Sequence, residues 1–156
     1  MPSFEDLLSL DNAVFSAYLF YTTLSIGKTL LAANVLIPLN RVTGHVYQTP
    51  EDYTAFATPA TKEDPKAASR IDKLRKIVAH DLENIVPFAI LGLLYMTVQP
   101  SPAVAIWHYR VYGISRLLHT LVYAAGMQPA RFLCFLPGSI VNHSMVAQIL
   151  YALCTR

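Results

Sequence analysis

The sequence predicts an all-α fold, an integral membrane four-helix bundle. Three observations point there. Hydrophobic residues make up 54% of the chain and charged residues 14%, against about 25% charged in a typical soluble domain. The mean hydropathy is +0.39. Four long apolar segments account for most of the chain, and the last three are joined by tight turns. A length of 156 residues predicts one membrane domain over residues 1–156.

Segment one covers residues 13–39, interrupted by Lys28 and Asn34. About 20 apolar residues cross the hydrocarbon core, so it is long enough even when tilted. Pro38 is expected to end it, because the ring removes a donor and disfavours helix in the preceding residue. The stretch before it carries Glu5, Asp6 and Asp11, and no small-residue cleavage site closes the apolar run. A secretory signal has a basic start, so segment one is expected to remain as an anchor.

Residues 40–75 differ abruptly. Pro50, Pro59 and Pro65 punctuate them, and charges of both signs cluster from Glu51 to Arg75. This reads as one extramembrane loop, too poor in large apolar residues for a second domain. Segment two, residues 76–98, opens with polar turns and is apolar from Ile85. Segment three, residues 103–124, follows Gln99-Pro100-Ser101-Pro102, and segment four, residues 130–153, follows Gly126-Met127-Gln128-Pro129. Short turns between long helices make antiparallel neighbours. A soluble bundle needs a charged outer face on every helix, and segments one and four have none.

Lys and Arg near span ends set orientation. The first loop holds Arg41, Lys62, Lys66, Arg70, Lys73, Arg75 and Lys76, so it is predicted to be cytoplasmic. The third loop, beside Arg131, follows it, and both ends of the chain lie on the far side. The formal charge of +2 and the lack of a basic stripe interleaved with aromatics argue against nucleic acid. Cys134 and Cys154 sit on one helix, roughly 30 Å apart at 1.5 Å per residue, and cannot pair within a chain. There is no HExxH, CxxC, GxGxxG or P-loop pattern, and no metal set at ligand spacing.

The ionisable residues are few and grouped. Lys76, His80, Glu83 and Pro87 recur at one helical face of segment two. Tyr109, Tyr112, Arg116, His119 and Tyr123 form a stripe on segment three. Arg131, Phe135, Gly138 and Asn142 form one on segment four, and Arg41 closes segment one. All their ionisable members fall in the predicted cytoplasmic half. A cation at the centre of a span costs about 2.5–3.5 kcal/mol on insertion scales, so this set needs anions or water. Asp81 and Glu83 neutralise two of them, and the surplus asks for an anionic ligand. Plainer readings stand beside this one. Arg116 with Asp81 or Glu83 makes a structural interhelical pair. Lys76 and Arg41 serve as snorkelling anchors, His80 and His119 as satisfied core residues, and Tyr123 as an interfacial aromatic. Arg131 is hardest to explain so, since its span contains no acid.

Ala79-His80-Asp81-Leu82-Glu83-Asn84-Ile85-Val86-Pro87-Phe88 and Gly92-Leu93-Leu94-Tyr95 resemble the segment-two signature of the membrane-associated proteins in eicosanoid and glutathione metabolism (MAPEG). Ser115-Arg116-Leu117-Leu118-His119-Thr120-Leu121-Val122-Tyr123 is similar to the segment-three motif. Pro50-Glu51-Asp52 and Pro129-Ala130-Arg131 match in kind and order. The resemblance covers nearly the whole chain and is nearest to the glutathione-transferase branch. It implies a homotrimer in the lipid bilayer, glutathione as co-substrate without a metal, and a site between subunits near the cytoplasmic face. Glutathione contacts carried over by position are Arg41, Lys76, His80, Glu83, His119, Tyr123 and Arg131, with Arg131 stabilising the thiolate. Asp81 and Arg116 are expected as a structural ion pair.

The chain departs from the pattern at His80, where Asn is usual, and at Lys76, where Arg is usual. A Lys does not reproduce bidentate carboxylate recognition. The prostaglandin-synthase branch has Ser and Tyr where this chain has Phe132 and Phe135, which favours the transferase branch. The resemblance thus implies transfer of glutathione to hydrophobic electrophiles, with reduction of lipid hydroperoxides as an added activity. The alternatives within the family are prostaglandin E synthase and a non-catalytic lipid-binding scaffold. It implies the endoplasmic reticulum membrane, with the mitochondrial outer membrane not separated from it by any visible address. The chemistry suits the residues: glutathione has two carboxylates and one ammonium, and a guanidinium in a partly desolvated site favours its thiolate.

Overall fold

The computed structural model describes residues 4–57 and 61–155, and every regular element among them is helical. They are α1 (Phe4–Leu7), α2 (Ala13–Leu31), a π-helical turn (Ala32–Leu36), α3 (Ile37–Gly44), α4 (Pro50–Phe56), α5 (Pro65–Thr97), α6 (Pro102–Ala125) and α7 (Gln128–Cys154). Three stretches are long and apolar enough to cross a membrane: Ala13–Gly44, Pro65–Thr97 and Gln128–Cys154. α6 has 24 residues but carries Arg110, Arg116 and two histidines, which lower its hydropathy. It is not among the three.

Local chemistry sets the ends. Asn12 caps α2, its Oδ1 accepting from the backbone of Val14 at 3.0 Å and leaving fewer unsatisfied donors in the first turn. Asp64 caps α5 through the Lys66 backbone N–H at 2.9 Å. Pro102 begins α6 at a position where no backbone donor is missed. Gly126, at φ 76°, ends it. The Met127 N–H reaches the Val122 carbonyl and the Gly126 N–H reaches that of Tyr123, a Schellman closure that needs a left-handed residue.

Two boundaries differ from the sequence reading. Pro38 does not end the first long helix, which runs on to Gly44. The π turn just before it re-spaces the backbone, placing Pro38 in the first turn of α3, where its missing N–H costs nothing. The second helix begins at Pro65 rather than Lys76, because the Asp64 cap starts it ahead of the apolar run. The loop expected over 40–75 is consequently partly helical, α4 included.

The chain divides into two compact units: Met1–Gly27 with Asp81–Arg156, and Lys28–His80. In the first, the core is built from Tyr18, Phe88, Tyr95, Met96, Ala105, Tyr109, Tyr112, Val141 and Met145. Phe88 and Tyr112 stack with centroids 3.6 Å apart and planes 3° from parallel. Tyrosine hydroxyls are accommodated by second bonds to helix carbonyls: Tyr18 donates to Ala89 at 2.7 Å and Tyr109 to Gly92 at 2.9 Å. Gly92 permits this approach, since a Cβ there would meet the Tyr18 ring at 2.7 Å. α6 and α7 pack on one another and are antiparallel, as their short connection requires.

In the second unit, Ile37, Ala67, Ile71 and Ile77 are buried. A side chain on Gly44 would overlap Ala67, and the Asp64 N–H donates to the Gly44 carbonyl at 2.9 Å. These contacts fasten the end of α3 to the start of α5. Large apolar side chains are widely exposed, among them Phe20, Ile90, Leu121, Leu133, Ile140 and Leu150. Exposed apolar surface on that scale marks contact with lipid or protein.

Candidate functional site

α6 turns Tyr109, Tyr112, Arg116 and His119 inward, all of them buried, with Tyr123 half-buried one turn on. Across from them α7 presents Arg131, Phe135, Gly138 and Asn142, with Gly138 fully enclosed. The helical spacing read from the sequence therefore identified two faces that meet.

Together they form a ladder of rings with one guanidinium within it and another at its end. The Arg116 guanidinium carbon lies 5.1 Å from the Tyr112 ring centroid and 5.0 Å from that of Phe135. The Phe135 and His119 rings are 6.2 Å apart, and His119 and Tyr123 are 5.8 Å apart. Arg131 ends the series 4.5 Å above the Tyr123 ring. A cation over a ring face gains about 0.5–1 kcal/mol when exposed and about 2 kcal/mol when desolvated. His119, Tyr123 and Arg131, three of the residues expected to hold the ligand, are thus in one place.

Arg116 is 0% exposed. Asp81, also buried, and Tyr112 interact with it electrostatically. Yet none of its guanidinium nitrogens has a hydrogen bond of normal geometry, and the Tyr112 hydroxyl and Asn142 Oδ1 are likewise unsatisfied. Gly138 makes room for it: a Cβ there would meet Ser115 Oγ at 2.5 Å and Arg116 Nη2 at 2.8 Å. Leaving buried donors unmade costs about 1–3 kcal/mol each, so this end of the α6–α7 interface holds unused hydrogen-bonding capacity. Open polar groups in a buried interface call for a partner, whether water, an ion or a ligand.

The other expected residues stand elsewhere. On α5, Glu83 and Pro87 are exposed, while Asp81, Ile85 and Phe88 face the core. In the unit Lys28–His80, the Arg41 guanidinium donates to Gln48 Oε1, and its Nε is buried and unpartnered. Lys76 pairs with Asp72 at 2.7 Å, both well exposed, and His80 is half-buried. Of the segment-two stripe, Lys76, Glu83 and Pro87 are thus exposed, and His80 is not.

The sequence reading missed a second polar group at the far end of the α6–α7 interface. Tyr95 donates to Gln148 Oε1 at 2.6 Å, and Gln148 Nε2 to Ser144 Oγ at 3.0 Å. Ser144 Oγ meets His108 Nε2 at 2.9 Å, and His108 Nδ1 meets the Val104 carbonyl at 2.7 Å. Ser144 and Gln148, four residues apart on α7, were the available signal. The group is satisfied throughout and reads as a structural fastening.

Comparison with known proteins agrees with this architecture. The MAPEG family matches residues 13–151. Human microsomal glutathione S-transferase 1 is 35% identical over 90% of this chain and 92% of its own. The Rattus norvegicus protein of that name is 32% identical over the same shares. Human prostaglandin E synthase is 27% identical over 97% of this chain and 96% of its own. A family match over residues 13–151 and a relative 35% identical over 90% of the chain identify the protein as a member of the MAPEG family.

Proposed function

We propose that the protein is a membrane-bound glutathione transferase that joins glutathione thiolate to hydrophobic electrophiles and also reduces lipid hydroperoxides. The observation that carries this is Arg131, half-buried and seated on the Tyr123 ring beside His119, in a chain whose relatives are named microsomal glutathione S-transferase 1.

The chemistry follows from that seat. A guanidinium held over a ring cannot be deprotonated at neutral pH, so it remains a fixed positive charge. Placed beside the glutathione sulfur, it favours the thiolate, and the thiol proton leaves to water. The thiolate then attacks the electrophilic carbon, a C–S bond forms, and the leaving group departs with its electron pair. With a hydroperoxide, thiolate attack on oxygen yields the alcohol and a sulfenic acid, which a second glutathione converts to the disulfide and water.

Arg131, His119 and Tyr123 hold the sulfur end in this reading. Arg41, Lys76, His80 and Glu83 receive the charged ends of the tripeptide. That Glu83 and Lys76 are exposed in the single chain supports a four-span subunit completed by neighbours, as a homotrimer with glutathione between copies. Asp81 and Arg116 act as the internal ion pair. The relatives' names support a microsomal location, which we assign to the endoplasmic reticulum membrane, with the first loop cytoplasmic and a role in detoxification.

Phe132 and Phe135 in place of Ser and Tyr, with the higher identity to the transferases, favour this reading over prostaglandin E synthase. The test is glutathione binding to the detergent-solubilised protein, followed by thiolate absorbance, with conjugation of a chloronitrobenzene as the activity. Binding without thiolate absorbance or conjugation would overturn it, and isomerisation of a prostaglandin endoperoxide without conjugation would establish the alternative.

A further inference from the structure

Phe135 occupies the middle of the ladder. Its ring separates the buried Arg116 guanidinium, 5.0 Å away, from the His119 imidazole, 6.2 Å away. His119 in turn supports Tyr123, on which Arg131 is seated. Arg116 has no hydrogen bond of normal geometry at any guanidinium nitrogen. Asp81 and Tyr112 hold it electrostatically, and its ring contacts and the space that Gly138 leaves set where the guanidinium lies.

We infer that Phe135 is a positioning residue, whose ring keeps Arg116 in place and supports the His119–Tyr123 seat that aims Arg131 at the sulfur. This rests on the glutathione-transferase reading. A smaller side chain opens a void at a close-packed interface, and interiors relax into such voids only in part. Arg116 loses one of the two rings it lies against and shifts toward the void. His119 then loses its contact with the Phe135 ring, and the seat of Arg131 shifts. Misplacement of a reacting group by about 1 Å can cost up to about 100-fold in rate.

The test uses the full-length protein in detergent, with Phe135→Leu and Phe135→Tyr. Three quantities are read: the pH midpoint of the glutathione thiolate absorbance, the glutathione Kd, and kcat with a chloronitrobenzene. Phe135→Leu is expected to raise the midpoint by about one pH unit, a tenfold change in the ionisation constant. It should lower kcat about tenfold while Kd changes much less. Phe135→Tyr, which keeps the ring, is expected to restore both. Simple loss of packing would lower the number of binding sites and the melting temperature without moving the midpoint. If Phe135→Leu does not yield protein, Phe135→Met keeps the volume without the ring and gives the same readings. A wild-type midpoint in the ring-less variants, or equal failure of Phe135→Tyr, overturns the inference alone. Absence of thiolate absorbance in the wild-type protein overturns the transferase reading and this inference together.

Discussion

The two ends of the α6–α7 interface solve the same problem in opposite ways. Both bury polar side chains among apolar helices. At one end, Tyr95, Gln148, Ser144 and His108 pass hydrogen bonds from one to the next until a backbone carbonyl closes the series. At the other, Arg116 and Arg131 stand among the rings of Tyr112, Phe135, His119 and Tyr123, with the Arg116 nitrogens, the Tyr112 hydroxyl and Asn142 Oδ1 unsatisfied. A completed network has nothing left to offer a ligand, and its value is rigidity. An incomplete one that carries positive charge is fit to receive an anion. The difference sets a fastening apart from the end that we propose as the binding site.

The sharpest way to break this comparison is to remove Arg131, the outer end of the ladder. Arg131→Ala is expected to lower kcat about 100-fold or more, as loss of one preorganised electrostatic donor does elsewhere, while the melting temperature stays near wild type. Unchanged conjugation would remove Arg131 from the proposed mechanism. Next in size is Gly138→Ala. The added methyl meets Ser115 Oγ and the Arg116 guanidinium, and overpacking of this kind costs about 1–3 kcal/mol. Thermal unfolding in detergent measures it. A neutral result would show that Arg116 has room to move, and the ladder would lose its rigidity.

At the satisfied end, Ser144→Ala leaves His108 Nε2 and Gln148 Nε2 without their shared partner. Interhelical hydrogen bonds in membranes average about 0.6 kcal/mol, so a loss of about 1 kcal/mol is expected, with conjugation kinetics unchanged. An altered thiolate midpoint in this variant would mean that the two ends are coupled. The smallest effect belongs to the Lys76–Asp72 pair. An exposed pair one helical turn apart contributes about 0.3–0.5 kcal/mol, so Asp72→Ala should barely move the melting temperature. It should strengthen glutathione binding if release of Lys76 is part of binding. Weaker binding would assign Lys76 to the surface alone.

Much of this was legible beforehand. The apolar runs, the Pro- and Gly-marked turns and the stripes on α6 and α7 follow from helical spacing. Burial follows the same spacing: Tyr109, Tyr112, Arg116 and His119 are all enclosed. Pro38 does not end a helix: it falls in the first turn of α3, directly after the π turn at Ala32–Leu36, and Pro87 and Pro137 likewise lie inside α5 and α7. The Asp64 cap, which starts α5 at Pro65 ahead of its apolar run, was hidden among loop charges. The far-end network went unnoticed because Ser, Gln and His look unremarkable singly. They gain meaning only when Tyr95 from another helix meets them.

By itself the sequence determined the long apolar helices, the membrane character of the chain and which faces of α6 and α7 are polar, since all three depend on side-chain type and a 3.6-residue period. Only the tertiary structure decided which polar residues are satisfied. It turned Glu83 away from its own core, laid Arg116 between two rings and set Arg131 on Tyr123. Hydrogen bonds and ring contacts depend on ångström-scale distances between helices, and no periodicity along one chain contains those distances.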